Sequence, residues 1–467
     1  MLHSKALGEE PISKLLIRQS VPAAIGFLIM SINSIVDAIF VGRWVGSTGI
    51  GAIAVVMPIS FFISSIGLAI GIGGASIISR ALGSGDPTKA NRTFGTQAFM
   101  TLGLSAILLV VGYIYQDQVL GVFGGKGDLL QPAKVYFNIV LFGTPFLAWA
   151  MMSNNVIRAE GKAKVAMMVM VLSAIVNIIL DPIFIIGLGW GMYGAGWATT
   201  IAYITAALWA IHFFSSGKNE VKLKKKHIKF DPPVAKEIFS IGGVSLVRQG
   251  SVSVLIAILN LTLFKFGGET AVATYGIIAR LMMFTLFPVM GVVQGFMPIV
   301  GYNYGAEQYD RVKETVMTAI KYGTSIAAII FLIIILIPEQ IVWVFTTDPA
   351  LLRDAPKALV FVYLATPLIT IQLIGSAYFQ AIGKALPALL LTLTKQGFFL
   401  IPLVIVMPHF FDLDGVWYSF PIADVLATAI TIIYLSRVLI VLKKPDRNKE
   451  ETSWNVTEAA PQVKTGS

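Results

Sequence analysis

Long apolar runs separated by short polar connections dominate the hydropathy pattern of this chain. Twelve of these runs are close to the roughly 20 residues that an α-helix needs to cross a bilayer. The pattern therefore predicts an all-α polytopic membrane protein with twelve membrane-spanning helices. The predicted spans begin near Leu15, Ile53, Gly95, Ala133, Lys164, Tyr193, Lys236, Ala271, Thr315, Ala355, Pro387 and Gly415.

One long polar connection, which we define as a linker at residues 215–236, divides the twelve runs six and six. The first six runs are expected to form a bundle at residues 15–214, and the last six a bundle at 237–442. A polar segment precedes them at 1–14, and a polar tail at 443–467 is expected to be disordered. The first apolar run lacks a small-residue cleavage site, so we expect that span to remain in the protein.

The two halves repeat each other at a constant offset of 222 positions. The matched positions are Gly46 and Gly268, Thr48 and Thr270, Gly73 and Gly295, Gly83 and Gly305, Thr144-Pro145 and Thr366-Pro367, and Ala159, Gly161, Lys162 and Ala163 with Ala381, Gly383, Lys384 and Ala385. Paired motifs in one register indicate internal duplication. Because each copy has an even number of spans, both copies enter the membrane in the same direction. The sequence thus predicts two parallel six-helix bundles, related by a pseudo-two-fold axis along the membrane normal, with a substrate cavity between them.

Composition supports the membrane assignment and excludes several classes of function. The chain is 56% hydrophobic and 13% charged, with a mean hydropathy of +0.79, whereas soluble domains are only about 45–50% apolar. It has no cysteine, and we find no P-loop, zinc-ligand spacing or nucleophile triad. We therefore expect no enzyme activity and no cofactor, and an energy source that is an ion gradient.

The basic residues predict the orientation in the membrane. Most of the 35 lysines and arginines fall on the side of the two termini, which is expected to be cytoplasmic. Those that fall in connections on the other side are Arg43, Lys126, Lys134, Lys265, Arg353 and Lys357. The net charge of +10 mostly reflects this bias, so the run from Lys224 to Lys226 is interpreted as a topology determinant and no nucleic-acid partner is expected.

Polar side chains within spans mark the candidate functional site. Asn177 and Asp181 lie four positions apart, hence on one helical face, and Pro182 follows at once and weakens the helix beside the acid. Asp37 lies in the first span, with Asn33 one turn before it. Ionisable residues inside spans usually face a cavity, an ion or a partner. The site is therefore predicted to bind a proton or cation, with structural pairing of the acids as the alternative.

The second copy serves as a control for this interpretation. The positions equivalent to Asp37, Asn177 and Asp181 are Leu259, Phe399 and Leu403, so the polar site is expected only in the first bundle. Two carboxylates that converge in a low dielectric disfavour each other's charge, so at least one holds a proton in the empty site, and a cation can replace it. Pro22 in the first span is either a hinge or a passive kink.

These features together resemble the multidrug and toxic compound extrusion (MATE) transporters. The resemblance rests on the two parallel halves, on Asp37, on the N-x-x-x-D-P motif at Asn177 to Pro182, and on I-S-R-A-L-G at Ile78 to Gly83 with a weaker copy at Val300 to Gly305. Within the family the chain is most similar to bacterial members of the DinF-type and Mep-type branch. The resemblance implies export of amphipathic organic cations against inward H⁺ or Na⁺, in the bacterial plasma membrane, by a monomer with the lipid bilayer as its surroundings.

The resemblance also implies the members of the cation site. That set is Asp37, Asn177, Asp181, Thr199 and Tyr136, of which Asp37, Asn177 and Asp181 would hold Na⁺. Thr199 and Tyr136 rest on the resemblance alone, because ordinary helix packing explains their positions equally. Other members use an acid in the seventh span, but here that span has Arg248 and no acid beyond Glu237 at its end.

Polar and flexible side chains of the second bundle complete the prediction. Asn33, Arg280, Met283 and Met290 are candidates to line the substrate cavity, with methionine offering an adaptable wall. Arg280 and Lys395 either neutralise Asp424 structurally or line the cavity. Two other functions compete with export. Flipping of a lipid-linked, phosphate-bearing precursor would use Arg248, Arg280 and Lys395 and leave the acids as structural pairs. A non-transporting receptor or scaffold would be expected to carry a sizeable soluble domain, and the sequence shows no such domain.

Overall fold

The computed structural model describes residues 4–217, 219–223 and 225–442, and this part of the chain is helical without strands. The tail predicted to be disordered, and Lys218 and Lys224 of the linker, lie outside the described residues. The helices of the first half are α1 Lys5–Glu9, α2 Ile12–Trp44, α3 Ser47–Gly83, α4 Pro87–Ile114, α5 Gln116–Val122, α6 Leu130–Ala159, α7 Ala163–Asp181 and α8 Gly191–Ser215. A π-helical turn, Pro182–Gly187, extends α7, and short 3₁₀ turns lie at Gly127–Leu129 and Lys225–His227.

The second half continues with helices of the same kind. They are α9 Pro232–Gly305, α10 Tyr309–Leu336, α11 Pro338–Trp343, α12 Pro349–Tyr363, α13 Thr366–Ala381, α14 Ala385–Leu393, α15 Ile401–Val406 and α16 Pro408–Val441. A π-helical segment, Thr394–Leu400, joins α14 to α15. Helix α9 contains two spans, here α9a and α9b, because Gly268 has non-helical dihedral angles (φ 64°, ψ −159°). Helices α12 and α13 form one span bent by 44°.

Counted in this way, the described residues form the twelve predicted spans, six in each bundle. Several helices begin before the apolar run that signalled them, because their first turn is polar or capped. Helix α9 begins at Pro232, where the Asp231 side chain accepts a hydrogen bond from the backbone N–H of Val234 (3.5 Å) and caps the helix. Hydropathy detects the apolar stretch of a span and misses such turns.

Backbone geometry repeats at the offset of the sequence duplication. Gly46 (φ 93°) and Gly268 (φ 64°) turn the chain between the first and second span of each copy. Gly161 (φ 77°) and Gly383 (φ 82°) do the same between the fourth and fifth spans. These left-handed angles suit glycine, which lacks the Cβ that clashes there. The duplication inferred from side chains therefore extends to the turns that set the path of each bundle.

The two bundles meet tightly at the end of the helices where α1 and the linker lie, which we call the terminal face. A Cβ at Gly83 of α3 would collide with the Tyr302 carbonyl of α9b, and one at Gly305 of α9b would collide with the Arg80 carbonyl of α3. Tyr302 and Arg80 are themselves equivalent positions, so the two contacts are related by the pseudo-two-fold axis. Small residues thus allow direct backbone contact and close this face.

Polar contacts reinforce the closure of the terminal face. Ser76 of α3 donates to the Gln380 carbonyl of α13 (2.6 Å). Arg80 of α3 forms an ion pair with Glu237 of α9a (2.8 Å). Each of these bonds joins one bundle to the other, so they are available only while the face is closed.

The segment before each bundle packs beneath the other bundle. Helix α1 precedes the first bundle, yet the Leu7 carbonyl accepts hydrogen bonds from Asn303 of α9b (2.9 Å) and Arg311 of α10 (3.3 Å). The linker precedes the second bundle, yet Val221 donates its N–H to Glu160 at the end of α6 (2.9 Å). The two segments also touch each other, because the Ser4 N–H donates to Glu220 (2.9 Å).

An ion pair fixes the end of the linker to the first bundle. Arg92 of α4 contacts Asp231, the residue that caps α9. The hydrogen bond from the Arg92 guanidinium, together with its charge, holds the pKa of the Asp231 carboxyl below its ordinary value. The start of the second bundle is thereby attached to the terminal face of the first.

Candidate functional site

Asp37 lies on α2 with one carboxylate oxygen buried and without a hydrogen-bond partner. Asn33, one turn earlier on the same face, likewise has a buried side-chain oxygen without a partner. Buried polar atoms are nearly always hydrogen-bonded in native proteins, so two unpaired acceptors in consecutive turns need an explanation. Both atoms are acceptors that lack a donor.

The second part of the site is the end of α7. Asn177 and Asp181 are both buried, and the Asn177 amide donates to Asp181 Oδ1 over 3.3 Å. Asp181 Oδ2 has no partner. The α-helix stops at Asp181 because Pro182 has no N–H to continue its hydrogen bonds, and the π-helical turn follows at once. Such turns are frequent at functional sites.

The two acids are brought together, and Tyr136 joins them. Asp37 and Asp181 interact electrostatically with each other and with Tyr136 of α6. The Tyr136 side chain is also hydrogen-bonded to Thr199 of α8. Thr199 also donates a hydrogen bond to the Ala195 carbonyl of its own helix (3.0 Å). The five predicted cation-site residues therefore form one cluster.

Tyr203 belongs to the same cluster, although the sequence reasoning did not select it. It interacts electrostatically with Asp37 and with Tyr136. Tyr203 follows Thr199 by four positions on α8 and so shares its helical face. That spacing is the signal from which it could have been found.

Three oxygens of the cluster are buried without a hydrogen-bond partner. Asn33 Oδ1, Asp37 Oδ1 and Asp181 Oδ2 are buried without partners, while the Asn177 amide is already engaged. A proton or a small cation would satisfy these oxygens, and an all-oxygen ligand set suits hard cations. Among the described residues no group of three or more histidines, cysteines and acids could hold a metal ion. The set therefore fits protons or Na⁺ better than a transition metal.

The equivalent region of the second bundle is filled with hydrocarbon. Leu259 is fully buried in a hydrophobic cluster, and Phe399 and Leu403 pack against that cluster. In the second bundle, apolar side chains therefore pack at the positions where the first bundle has its two carboxylates. The two copies thus differ at these positions in packing as well as in sequence.

The other predicted residues are not brought to the cluster by any contact described in residues 4–217, 219–223 and 225–442. Arg280 and Met283 are exposed on α9b, and Met290 is half-buried. Pro22 is buried within α2, which runs from Ile12 to Trp44 with helical dihedral angles throughout. Their roles in a cavity wall and a hinge stay predictions.

Lys395 pairs with Asp424, which is the structural alternative considered for it. Its ammonium lies 2.6 Å from Asp424 Oδ1, and Gln372 donates to the same oxygen (3.1 Å). Asp424 is buried within the second bundle, and Lys395 is half-buried. Arg248 has only neutral partners among the described residues, with its guanidinium 3.4 Å from the Ser376 hydroxyl and from the Gln380 side-chain oxygen.

Comparison with known proteins gives the same picture as the geometry. The MatE family model matches both halves of the chain, at residues 22–183 and 245–406. Multidrug export protein MepA of Staphylococcus haemolyticus (strain JCSC1435) is 30% identical over 438 residues, covering 93% of this chain and 96% of that protein. MepA of Staphylococcus aureus (strain NCTC 8325 / PS 47) is 30% identical over 431 residues, covering 92% and 95%.

Solved structures agree over the same extent. A crystal structure of MATE in the bent conformation superposes with a TM-score of 0.90 at 25% identity, covering 95% of this chain and 99% of that chain. The outward-facing conformation of a multidrug resistance MATE family transporter of the MOP superfamily gives a TM-score of 0.88 at 26% identity, covering 94% and 98%. With its duplicated six-span halves and its two family matches, the chain belongs to the MatE family.

Proposed function

We propose that the protein is a secondary multidrug exporter that exchanges amphipathic organic cations for inward-moving H⁺ or Na⁺ by alternating access. The observation that carries the proposal is a set of three buried side-chain oxygens without hydrogen-bond partners, on Asn33, Asp37 and Asp181. Protons or a cation complete such a cluster, and the twelve-span architecture offers the two bundles between which cargo would move.

The two acids would couple the ion to the cargo through the conformation of the protein. An ion that binds the cluster more tightly in one conformation shifts the equilibrium toward that conformation. When both acids are neutralised, the low-dielectric site carries less charge and can close more readily; when they are ionised, the cluster attracts cations. We therefore assign Asp37 and Asp181 as coupling-ion ligands, with Asn177, Tyr136 and Thr199 as polar groups that position them.

The names of the relatives support the cargo assignment. Both staphylococcal proteins compared above are multidrug export proteins, and their alignments cover almost the whole chain. We propose the same class of activity here, without a cofactor, by a monomer in the bacterial plasma membrane. The terminal face is proposed to be cytoplasmic, in keeping with the bias of basic residues.

Two observations favour export over flipping of a phosphate-bearing lipid precursor. The flippase alternative expects Asp37 and Asp181 to be structural pairs, but among the described residues neither acid forms an ion pair with lysine or arginine. It also expects Lys395 to be available in the cavity, but Lys395 is paired with Asp424. The acids are therefore available for an ion, and one of the basic groups is not available for phosphate.

Transport in proteoliposomes tests the proposal. Purified protein is reconstituted, a pH gradient and a Na⁺ gradient are imposed in separate experiments, and movement of ethidium is followed by fluorescence. Asp37→Asn and Asp181→Asn should each abolish gradient-driven transport while the amount of reconstituted protein stays near that of wild type.

Asp128→Asn is the matched control, because Asp128 is an exposed acid of the first bundle outside the cluster. It should transport at the wild-type rate. Driven transport retained in both cluster variants would reject the ion-site assignment. Absence of ethidium movement under either gradient in wild type, with the lipid precursor translocated instead, would favour the flippase.

A further inference from the structure

A small cavity lies between the two bundles near the terminal face, away from the acid cluster. Its volume is about 20 Å³. Cavities of this size hold one water molecule or one ion of similar size. Its walls come from α3 and α6 of the first bundle and from α9b and α13 of the second.

The cavity lies on the pseudo-two-fold axis. Its lining includes positions that are equivalent in the two copies, at the offset of 222. These pairs are Ile72 with Gln294, Ala75 with Met297, Ser76 with Pro298, and Ala159 with Ala381. Because the two members of each pair belong to different bundles, the cavity exists only while the bundles are together. A ligand that fills it therefore binds the closed terminal face and not the open one.

Arg158 places an uncompensated charge in the cavity wall. The residue is 4% exposed, on α6. Its Nε donates to Asn154 Oδ1 (2.9 Å) and its Nη2 lies 3.9 Å from the Met170 sulfur, while its Nη1 has no partner. A guanidinium in proteins stays charged. Burial of such a charge without a counter-charge is strongly unfavourable.

No acid supplies the counter-charge among the described residues. Glu160 follows Arg158 by two positions, but one of its oxygens accepts from Lys162 (2.6 Å) and the other from the Val221 N–H (2.9 Å). The equivalent of Arg158 in the second copy is Gln380, so the charge has no mirror partner either. The nearest hydrogen-bond partner of Arg158 is a neutral amide.

We propose that this cavity is a binding site for a single halide ion, which neutralises Arg158 and stabilises the closed terminal face. A cavity of about 20 Å³ has room for one monatomic anion. The free Nη1 of Arg158 supplies hydrogen-bond donors, and the Gln294 amide lines the opposite bundle's side of the cavity. A water molecule would satisfy these donors but would leave the charge uncompensated.

The inference does not depend on which ion or cargo the protein transports. It concerns the equilibrium between closed and open terminal faces. Mass action then predicts that halide at ten times its dissociation constant reduces the open fraction about 11-fold. The halide acts here as a ligand of one conformation, and its effect saturates at one site.

Thiol labelling of the full chain in detergent tests the site. Because the chain has no cysteine, Ser20→Cys provides a single thiol; Ser20 is buried against Gly295 of α9b, and its hydroxyl has no hydrogen bond to lose. The rate of reaction with the neutral reagent N-ethylmaleimide is measured as sodium bromide replaces sodium gluconate at constant Na⁺ concentration and ionic strength. We expect the rate to fall along a saturating single-site curve.

Arg158→Gln, which introduces the residue of the second copy, should make the labelling rate independent of bromide. Arg353→Gln is the control, because Arg353 is exposed and pairs with its neighbour Asp354, and it should keep the wild-type response. If Arg158→Gln does not fold, Gln294→Ile, which introduces the residue of the first copy, should raise the bromide concentration that gives half the effect. No bromide response in the parent protein, an unchanged response in Arg158→Gln or Gln294→Ile, or a lost response in Arg353→Gln would overturn the proposal.

Discussion

The closed terminal face can be tested with one pair of neighbouring glycines. Gly242 and Gly243 lie in the same turn of α9a, so replacement of either by alanine changes helix propensity by the same amount, about 1 kcal/mol in favour of the helix. Their surroundings differ. A Cβ at Gly242 would collide with the Ala69 carbonyl of α3, whereas a Cβ at Gly243 has no atom within 4 Å.

The collision acts only while the bundles are in contact. Overpacking of a well-packed interface costs about 1–3 kcal/mol. Because each 1.4 kcal/mol is a factor of ten in an equilibrium constant, Gly242→Ala should raise the ratio of open to closed protein about 5- to 150-fold. Gly243→Ala should leave that ratio unchanged, since its methyl group projects into open space.

The assay is the rate of N-ethylmaleimide labelling at Ser20→Cys, in the background of each glycine variant. Labelling in Gly242→Ala should exceed that in Gly243→Ala by the same factor, as long as the thiol reacts only after the face opens. Equal rates in the two variants would mean that backbone contact between α3 and α9a does not hold the face closed. Faster labelling in Gly243→Ala would refute the assignment of which glycine faces the other bundle.

Three further predictions concern orientation, packing and pH. In intact cells, an impermeant thiol reagent should label a single cysteine at position 127 (Gly127→Cys) and should not label one at position 216 (Ser216→Cys). The reverse result would invert the proposed orientation. Asp424→Asn should lower stability by at most about 3–5 kcal/mol, because it leaves the half-buried Lys395 without its counter-charge, and unchanged thermal unfolding would contradict the pair. The loss of melting temperature in Asp231→Asn should be full at pH 7, because a carboxyl whose pKa is lowered in the folded protein stabilises the fold above its ordinary pKa near 3.9. The loss should shrink as the pH falls below that value and vanish once the pH is below the lowered pKa of the folded protein. Asn keeps the helix cap, so a loss independent of pH would mean that the ion pair contributes nothing.

Much of the fold could be predicted because the lengths of the apolar runs and the internal duplication can both be read directly from the sequence. Span length comes from the bilayer, and the offset of 222 positions gives parallel bundles without any contact information. The site could be predicted for a related reason. Asp37 and Asp181 are costly in an apolar span, so their presence alone marks a candidate site. Tyr136 and Thr199 needed the family resemblance, since hydroxyl groups are common in spans.

Other features could not be predicted because they depend on contacts between distant segments. Nothing in the residues around Leu7 or Val221 indicates that each would pack beneath the opposite bundle. In the sequence, Arg158 looks like one of the many basic residues that flank the ends of membrane spans. Its lack of an acidic partner can be seen only once the neighbouring helices are in place. Hydropathy describes the environment of one helix at a time, whereas these contacts join two bundles.

The comparison of the two copies separates positions that serve the contact between bundles from positions that serve one bundle alone. Gly83 and Gly305 are the same residue because each touches the backbone of the other copy across the pseudo-two-fold axis, and a side chain at either would separate the bundles. Asp37 and Leu259 differ because each lies within its own bundle, where packing can be satisfied by hydrocarbon. Two acid clusters would bind two sets of ions, one per bundle, and conformational change would have to satisfy both. Under the proposed function, a single cluster would tie one ion-binding event to one movement of the bundles. The symmetric glycine contacts let both bundles share the same closing surface.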